Sequence, residues 1–372
     1  MDSELIVVGG GPVGASLARA AGAMSVTLLS QEPRVASTPS SPGFDSRVYA
    51  LSPANSAFLG LDANRLTPVH AMRVFGDEGA CIAFDAYRAG VPALAYIVED
   101  AVLQGALWEG LEARIGRCVG LSVEEDRARL QLDGGGELSA RLVVAADGAE
   151  SRVRELAGIH ATAKSYGQSA VVANFACGRP HANTAYQWFQ GGPVLALLPL
   201  PGNHVSMVWS LPTAEAARMC ALAPRDLCAA VEAATAGKLG DLDVVTPPRS
   251  FVLRRVRAER MIAPRVALIG DAAHVIHPLA GQGLNLGLQD VRALSRLLSE
   301  RHALRDAGDR RLLRRYERAR AEPILAMDSM VDGLYRLFGA HNALTARLRN
   351  RGLNLTDRLT VVKNLLIRQA MS

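Results

Sequence analysis

Cysteine is scarce in this sequence, and the cysteines that are present lie too far apart to form a motif. The chain of 372 residues contains five, an odd number, and none belongs to a C-x-x-C pair. Closely spaced pairs are typical of zinc sites, and an even set in a short secreted chain indicates a disulfide framework. We therefore expect neither, and we interpret as reduced thiols Cys81, Cys118, Cys177, Cys220 and Cys228.

Long apolar runs are also missing. Although 49% of the residues are hydrophobic and the mean hydropathy is +0.12, no run approaches the roughly 18 to 20 apolar residues of a membrane-spanning helix. The opening residues MDSELIVVGG carry no basic segment, and their apolar run covers only residues 5–8, which is too short for a signal peptide. We expect a cytoplasmic protein that is soluble or lies on a membrane surface.

The positive charge is concentrated near the C-terminal end. Residues 301–372 contain 15 Lys and Arg against 7 Asp and Glu, a balance of +8, so the overall +5 leaves −3 for residues 1–300. Such a segment suits nucleic acid, anionic lipid, an acidic partner or simple solvation. We expect no nucleic-acid partner, because residues 310–320 (RRLLRRYERAR) have the pattern of a charged helix face without an interleaved aromatic platform.

The start of the chain has the pattern of a dinucleotide-binding turn. A G-x-G-x-x-G motif lies between an apolar strand and an alanine-rich helix, and a second strand follows. Gly9 permits the tight turn, Gly11 lets the backbone approach a pyrophosphate, and Gly14 lets helix and strand pack closely. The helix N-terminus, with Pro12 and Val13, presents amide groups and the positive end of the helix dipole to the same ligand.

The end of the second strand departs from the usual pattern. In such folds an acidic residue at this point holds the ribose hydroxyls. Here the position is occupied by Ser30, followed by Gln31 and Glu32. We predict that Ser30 and Gln31 substitute as neutral hydrogen-bonding groups, or that Glu32 reaches the ribose. The alternative is a dinucleotide fold that has lost its ligand.

Two downstream motifs indicate which dinucleotide is bound. LVVAADGAESRVRELAG begins at residue 142 and contains Asp147, and RVALIGDAAH contains Asp271. They resemble the D-G and G-D motifs of aromatic-ring flavoprotein monooxygenases. The G-x-G-x-x-G, D-G and G-D motifs follow one another in the family's order, with about 135 residues between the first two and about 120 between the last two. The resemblance implies that Asp147 lies beside the pyrophosphate of FAD and that Asp271 holds its ribityl hydroxyls.

The stretch GDAAHVIHPLAGQGLNLGLQD, residues 270–290, also raises the question of a metal site. His274 and His277 are three residues apart, but Pro278 disfavours helical geometry at His277, and no nearby Cys or Glu completes a ligand set. We expect no metal, and we interpret both histidines as structural or as lining the flavin environment.

By the same resemblance, a loop and a helix start in this stretch face the flavin ring. The pyrimidine edge of the ring becomes anionic on reduction, so backbone amides and the positive end of a helix suit it. The residues implied are Pro278, Gly281, Gln282, Gly283, Leu284 and Asn285.

The whole string HVIHPLAGQGLNLGLQD resembles the signature of the ubiquinone-biosynthesis hydroxylases of the UbiH/UbiF type, within the class A FAD-dependent monooxygenases. FDSRVYALSPAN resembles the family segment that places an arginine near the flavin, here Arg47, and IVEDAVLQGALWEGL resembles its helix with a flavin-contacting glutamine, here Gln104. The C-terminal LRNRGLNLTDRL also resembles the family's tail, so the resemblance spans nearly the whole chain and departs clearly only at Ser30.

The resemblance implies an enzyme with FAD as cofactor and NAD(P)H as co-substrate. NAD(P)H would reduce the flavin, O2 would add to give a C4a-hydroperoxyflavin, and one oxygen would pass to the ring of a prenylated phenol. The flavin carries this chemistry, which explains why we find no catalytic triad, no carboxylate pair and no second G-x-G-x-x-G. We assign no residue as the base for the phenol.

The implied fold is α/β (α+β), a Rossmann-like FAD-binding domain of the p-hydroxybenzoate hydroxylase type with an inserted mixed or antiparallel β-sheet substrate domain and C-terminal helices. Turn residues break the apolar runs of the middle region, as in antiparallel strands. The predicted segments are FAD-binding domain at 1–71, substrate sheet at 72–96, FAD-binding domain with the D-G motif at 97–164, substrate-binding sheet at 165–256, FAD-binding domain with the G-D motif at 257–310, and C-terminal helices at 311–372.

Two regions leave alternatives open. Trp188, Phe189 and Trp209 suit either core packing, which we favour, or contact with an aromatic ring. Near the C-terminus, apolar residues recur at helical spacing beside basic ones, which suits a helix docked on the core, on a peripheral membrane surface at the inner face, or on a partner protein of ubiquinone biosynthesis. The apolar stripe comprises Leu355, Leu359, Val362 and Leu366.

Three other functions are compatible with parts of this sequence. A hydroxylase of a small soluble phenol would share every flavin motif. A flavin-dependent halogenase is disfavoured, because its W-x-W-x-I-P motif needs a tryptophan where this chain has Met207. A non-catalytic subunit that binds FAD to hold a biosynthetic complex together is supported only by the change at Ser30.

Overall fold

A computed structural model of the chain describes residues 3–32, 44–76, 80–277, 282–302 and 304–339. The strands, in chain order, are β1 (Ser3–Val8), β2 (Val26–Ser30), β3 (Val48–Leu51), β4 (Thr67–Val69), β5 (Ala71–Phe75), β6 (Cys81–Asp85), β7 (Ala95–Glu99), β8 (Ala113–Ile115), β9 (Cys118–Val123), β10 (Ala128–Leu132), β11 (Glu137–Ala145), β12 (Ala161–Cys177), β13 (Thr184–Phe189), β14 (Val194–Leu200), β15 (His204–Pro212), β16 (Leu242–Val244), β17 (Arg249–Ala258), β18 (Ile262–Ala263), β19 (Val266–Leu268) and β20 (His274–Val275).

The helices of the described residues alternate with these strands. They are α1 (Pro12–Ala20), α2 (Pro53–Leu59), α3 (Ala86–Ala89), α4 (Asp100–Trp108), α5 (Arg152–Leu156), α6 (Thr213–Cys220), α7 (Pro224–Ala234), α8 (Gln282–Ser299) and α9 (Arg310–Gly339). Among them, none contains an apolar stretch of the length and purity that crossing a bilayer requires.

The first sheet is built around parallel strands. Its order is β18-β19-β11-β1-β2-β8, and β1 pairs in parallel with both β11 and β2. Residues 5–8 of β1 are fully buried, as expected for parallel strands that are covered on both faces. The helix α1 leads from β1 to β2, so the strand–turn–helix–strand unit and the α/β fold class predicted from the sequence are confirmed.

The second sheet has nine strands in the order β20-β17-β12-β15-β14-β13-β5-β6, with β16 on the side of β12. All its pairs are antiparallel except β13 with β5, so the sheet is mixed. The helices α6 and α7 cover one of its faces, in a core that includes Val171, Phe175, Leu195, Met207, Ala216 and Leu227. We retain the six-segment division of the chain as a proposal.

A small third sheet, β3-β7-β4, joins the other two. Its core residues Val69 and Ile97 pack with Ala185 and Leu200 of the second sheet. The Nδ2 atom of Asn174, on β12, also donates a hydrogen bond of 2.7 Å to the carbonyl oxygen of Asp45. The second sheet is therefore held to the third sheet, and to the segment before β3, by side chains from regions distant in sequence.

The helix α9 is only partly the charged face expected from the sequence. Its residues Leu312, Leu313 and Tyr316 are buried, and so is Arg320, at 5% exposure. The interpretation of residues 310–320 as a solvated basic face was therefore wrong for Arg320, whose guanidinium lies inside the protein against a carboxylate. The apolar stripe at 355–366 lies outside the described residues.

Candidate active site

The glycine turn between β1 and α1 is tightly packed on one side and open on the other. A Cβ added to Gly9, where φ is +118°, would lie 2.2 Å from the carbonyl oxygen of Ala146, and one added to Gly14 would lie 1.9 Å from the carbonyl oxygen of Gly9. A Cβ at Gly11 would meet no heavy atom within 4 Å. Two glycines therefore permit packing, and the third faces free space.

The helix α1 starts without a capping side chain, because its N-cap residue is Gly11 and Pro12 occupies the first helical position. The amide groups of its first turn are left for a ligand, as anion sites at helix N-termini require. The side chain of Val13 points into the protein, since a Cβ added to Gly270 or Gly287 would lie 3.1 or 2.8 Å from its methyl carbons. Val13 thus joins the first motif to the third.

Ser30 is buried at the end of β2, and its hydroxyl donates a 2.8 Å hydrogen bond to the carbonyl oxygen of Glu32. The side chains of Gln31 and Glu32 are exposed. The indole Nε1 of Trp108 donates to the carbonyl oxygen of Gly10 at 3.1 Å and holds the glycine turn from the other side. The roles of Ser30 and Gln31 toward a ribose stay predictions.

Asp147 organises the turn that follows β11. Its carboxylate accepts hydrogen bonds from the hydroxyl of Ser151 at 2.5 Å and from the amide of Val153 at 3.1 Å. Burial raises the pKa of Asp147, and these two hydrogen bonds partly offset the rise. The guanidinium of Arg154 then donates to the carbonyl oxygens of Ala272 at 2.9 Å and Ala149 at 3.0 Å, so the D-G and G-D segments are in contact.

Asp271 lies on a single 3-10 turn after β19. Its side chain is accessible to solvent, yet protein surrounds it closely, as for a group on the wall of a cleft. Desolvation raises the pKa of Asp271, and the charges of His274, Arg47 and Arg254 act in the opposite direction. The guanidinium of Arg47 lies 5.2 Å from the ring centre of Tyr49, near enough for its charge to act on Asp271. The role of Arg47 toward the flavin stays a prediction.

The buried carboxylate of Asp290, on α8, holds the G-D turn in place. It accepts hydrogen bonds from the amide of Gly270 at 2.9 Å, from Nε2 of His274 at 2.6 Å and from Nε of Arg320 at 2.6 Å. Burial raises the pKa of Asp290, but His274 and Arg320 more than compensate, so the net shift is downward. The two side-chain partners of this carboxylate, His274 and Arg320, lie on opposite sides of it along the chain.

The two histidines of the motif have separate environments. His274 bonds Asp290, whereas Nε2 of His277 lies 3.4 Å from Oε1 of Gln168, on β12, and its ring meets Tyr166 edge-on at 4.7 Å. Burial lowers the pKa of His277 to about 4, so its ring is neutral near pH 7. Among the described residues, no cluster of three or more His, Cys, Asp and Glu could hold a metal.

Asn285 clamps the start of α8 to the third sheet. Its Oδ1 accepts hydrogen bonds from the amide of Ser52 at 2.8 Å and from Nδ2 of Asn55 at 3.0 Å, and its Nδ2 donates to the carbonyl oxygen of Ala50 at 2.8 Å. The side chain is therefore engaged with protein, which leaves only its backbone for the flavin contact implied by the resemblance. Pro278 and Gly281 lie outside the described residues, and Gln282, Gly283 and Leu284 form the first turn of α8.

Gln104 lies on α4 and is buried, at 8% exposure. Its Nε2 donates a long hydrogen bond of 3.4 Å to Asp100, and its Oε1 has no hydrogen-bond partner among the described residues. A buried carbonyl oxygen without a donor costs free energy. The side chain is therefore suited to accept a hydrogen bond from a ligand.

The candidate aromatic residues pack in cores. Trp209 and Trp188 both belong to the cluster beneath α6 and α7, and Trp188 stacks on Phe75 at 5.3 Å and on Tyr186 at 5.8 Å between ring centres. Phe189 belongs to the core of the first sheet. The core interpretation favoured from the sequence is confirmed. Trp209 faces away from the cleft, which further disfavours the halogenase.

The sequence-based site omitted three residues that shape it: Arg154, Asp290 and Arg320. Asp290 closes the quoted motif string, and an acidic residue among the apolar residues of α8 was the available signal. Arg320 offered no local signal, because its partner is thirty residues away and neighbouring arginines are exposed.

Comparisons with known proteins agree with this geometry. A family model described as an FAD binding domain matches residues 121–328. The 3-demethoxyubiquinol 3-hydroxylase of Escherichia coli is 34% identical over 389 residues, covering 99% of this chain and 98% of that protein. Ubiquinone hydroxylase UbiL of Rhodospirillum rubrum is 32% identical, over 99% of this chain and 89% of that one. The mitochondrial ubiquinone biosynthesis monooxygenase COQ6 of Caenorhabditis elegans is 30% identical, over 98% and 94%.

Solved structures share the fold at lower identity. The p-nitrophenol 4-monooxygenase PnpA of Pseudomonas putida superposes with a TM-score of 0.78 at 17% identity, over 99% of this chain and 98% of that one. HpxO of Klebsiella pneumoniae, solved in complex with FAD and uric acid, superposes with a TM-score of 0.77 at 18% identity, over 99% and 96%. The arrangement of a parallel sheet beside a large mixed sheet is therefore that of flavin monooxygenases.

Proposed function

Since the chain belongs to the FAD-dependent hydroxylase family of ubiquinone biosynthesis, we propose that it inserts one oxygen atom of O2 into the aromatic ring of a polyprenylated phenol. NAD(P)H supplies the two electrons, and the second oxygen atom leaves as water. The observation that carries the proposal is that the three motif segments touch one another, through Gly9 and Ala146, Arg154 and Ala272, and Val13 and Gly270. The chain also matches its relatives over nearly its full length.

The residues of the cleft fit FAD. The open space at Gly11 and the uncapped start of α1 suit a pyrophosphate, and the accessible carboxylate of Asp271 suits the hydroxyls of a ribityl chain. The buried Oε1 of Gln104 offers an acceptor for a flavin N–H group. When bound and reduced by NAD(P)H, FAD supplies the electrons that activate O2 for transfer of one oxygen atom.

The chain's own residues orient the ligands and exclude water. Asp290 and Asn285 fix the G-D turn and the start of α8, so the backbone that faces the cleft is rigid before any ligand binds. His277 stays neutral near pH 7, because burial lowers its pKa to about 4. The imidazole of His277 therefore adds no charge near the proposed flavin ring, which suits an apolar, poorly hydrated reaction space.

Purified protein tests the proposal directly. The expected result is a flavin absorbance spectrum and NAD(P)H oxidation that depends on a prenylated phenol, with a product heavier by one oxygen atom in the mass spectrum. Turnover of soluble phenols alone would favour the small-phenol hydroxylase. Bound flavin without turnover of any phenol would favour the non-catalytic subunit.

The same question can be asked in cells that lack the gene. Accumulation of a prenylated phenol one oxygen short of a quinone intermediate would support the proposal, and fragmentation would locate the missing oxygen. We also propose that the protein is cytoplasmic. It would contact the inner face of the membrane peripherally, or bind partner proteins of the same pathway. Cell fractionation at low and high salt tests it.

A further inference from the structure

The helix α9 carries its arginines on two sides that have different environments. Arg320 lies on the buried side with Leu312 and Tyr316, and its guanidinium forms an ion pair with Asp290. On the opposite side five other arginines are exposed, namely Arg310, Arg311, Arg314, Arg315 and Arg318. Because residues three and four apart lie on one face of a helix, these five form a continuous row of about 12 Å along the axis. We call this row the arginine strip.

The charge of the arginine strip is not neutralised by neighbouring acids. Among the described residues, the ion pairs of this region join Arg265 to Asp306 and Arg320 to Asp290, and none includes an arginine of the strip. Between residues 310 and 333 of α9, the one fully exposed acidic residue is Glu322. Five positive charges therefore face solvent within three turns of helix, with one negative charge beyond them.

The charge of the rest of the chain gives the arginine strip a direction. Residues 1–300 carry a net charge of −3, whereas residues 301–372 carry +8. The strip supplies five of the positive charges of this second segment. A protein with such a distribution is expected to turn its basic side toward a negatively charged surface and its other sides away from that surface.

Two apolar side chains are exposed before and after the arginine strip. Leu304, in the segment that leads into α9, is 89% exposed, and Leu325, two turns beyond Arg318 on the same side of the helix, is 48% exposed. The surface of an anionic membrane suits this combination, because its phosphate groups lie directly above an apolar layer. A guanidinium group can bind phosphate oxygens through two parallel hydrogen bonds.

We propose that the arginine strip is the surface that binds the phosphate groups of an anionic membrane, with Leu304 and Leu325 entering the headgroup layer. The choice of lipid rests on the proposed function, because a polyprenylated phenol resides in a bilayer. The contact then lies on α9, whose exposed side chains the structure describes, and does not require the apolar stripe at 355–366. Binding is electrostatic in the main, so salt should weaken it.

Exposed arginines elsewhere on the chain provide a matched control. Arg311→Gln combined with Arg315→Gln removes two charges from the strip. Arg225→Gln combined with Arg249→Gln removes two charges from α7 and β17. All four side chains are exposed, so both double variants should fold and retain FAD. The two variants lower the net charge by the same amount and differ only in where the charge is lost.

The experiment measures co-sedimentation of the full-length, FAD-loaded protein with two kinds of vesicle at low salt. One kind is phosphatidylcholine alone, and the other contains phosphatidylglycerol as well. We expect wild type to bind only the anionic vesicles. The double variant of the strip should lower the partition coefficient by about tenfold or more, since each basic residue near such a surface contributes about fivefold. The control double variant should stay within about twofold of wild type, and Leu304→Ser should weaken binding about threefold.

Other outcomes overturn the assignment. Equal losses for the two double variants would mean that overall charge governs binding, and an unchanged partition coefficient for the strip variant would place the membrane contact elsewhere. If wild type does not bind anionic vesicles but is retained on immobilised polyglutamate through the strip, an acidic protein is the better partner.

Vesicle binding and hydroxylation are measured separately, so the two proposals can fail independently. Hydroxylation of a short-chain prenylated phenol in detergent needs no vesicle. If this reaction is absent while vesicle binding depends on the strip, the proposed function fails and the membrane surface stands. If the reaction occurs and the strip variant binds vesicles as wild type does, the proposed function stands and the assignment of the strip is wrong.

Discussion

The carboxylate of Asp290 accepts a hydrogen bond from the backbone amide of Gly270, 2.9 Å away and twenty residues earlier in the chain. Gly270 has a φ of +58°, a left-handed conformation that glycine adopts without strain. A buried side chain thus holds the turn that aims Asp271 into the cleft. We therefore expect flavin binding to depend on a carboxylate that lies behind the turn and does not itself face the ligand.

Asp290→Ala should destabilise the protein by about 3–5 kcal/mol, because it leaves the guanidinium of Arg320 buried without its carboxylate. Urea denaturation of the apoprotein at pH 7.5 measures this. Glu300→Ala is the control, since it removes an acid from the exposed pair with Arg296 and should leave the midpoint unchanged. Equal midpoints for the two variants would contradict the structural role of Asp290.

Replacement of Asp271 by Ala is expected to weaken FAD retention by at least tenfold without loss of folding, because the carboxylate faces the cleft and is accessible to solvent. Fluorescence titration of the apoprotein with FAD gives the Kd. Asp243→Ala changes an exposed acid on β16, outside the three motif segments, and serves as control. An unchanged Kd for the Asp271 variant would remove this residue from the flavin site.

Gln104→Leu should raise the stability of the apoprotein and lower its affinity for FAD. The substitution removes a buried carbonyl oxygen that has no hydrogen-bond partner among the described residues, so the apoprotein should be stabilised by about 1 kcal/mol. It also removes the acceptor proposed for the flavin, so FAD affinity should fall. Thermal melts with and without FAD measure both. A parallel fall of apoprotein stability and FAD affinity would count against the proposed contact.

A methyl group at Gly14 is expected to displace α1, since a Cβ there would lie 1.9 Å from the carbonyl oxygen of Gly9. Gly14→Ala should therefore lower both the thermal midpoint and the flavin content of the purified protein. Gly333→Ala, in α9, would meet no atom within 4 Å and should stabilise by about 0.5–1 kcal/mol through helix propensity. If Gly14→Ala retains flavin fully, the close approach of helix and strand is not required.

Acidification should destabilise the protein through His277. Burial lowers the pKa of His277 to about 4 from the ordinary 6.5, so the folded state disfavours the charged ring that the unfolded chain accepts. The free energy of unfolding keeps its full value with respect to this group above pH 6.5. It decreases as the pH falls from 6.5 to 4, by at most about 3 kcal/mol. Urea denaturation of wild type and His277→Gln at pH 7.5 and 5 tests this, and equal pH slopes for the two proteins would refute it.

Local patterns in the sequence were sufficient to predict the glycine turn between strand and helix, but not the residues that support the turns around it. The glycines of the first turn act through backbone conformation and close packing, which their spacing encodes, so Gly9, Gly11 and Gly14 could be assigned before the fold was known. Asn285 was assigned to the flavin by resemblance through its backbone, and the sequence did not predict that its side chain bonds Ser52 and Asn55, more than two hundred residues earlier. Such partners meet only through tertiary folding, and spacing carries no signal for them.

The change at Ser30 shows another limit of sequence reasoning. A missing acidic residue suggested altered ribose binding or a lost ligand, but it did not predict that the hydroxyl of Ser30 would close its own loop onto Glu32. Likewise, the arginines of 310–320 look alike in sequence, and only packing against α8 separates the buried Arg320 from its exposed neighbours. Composition predicts charge, whereas burial depends on which helix lies opposite.

The strand β12 touches the flavin side of the protein at two positions, Gln168 beside His277 and Asn174 bonded to Asp45. Six residues separate them, about 20 Å along the strand. Because β12 is anchored at both contacts, it cannot rotate about either one. We therefore expect the distance between the sheet and the flavin side to stay constant while substrates bind and leave. Substrate and product should then enter and leave along the edges of the sheet, and the turnover rate should depend little on solvent viscosity.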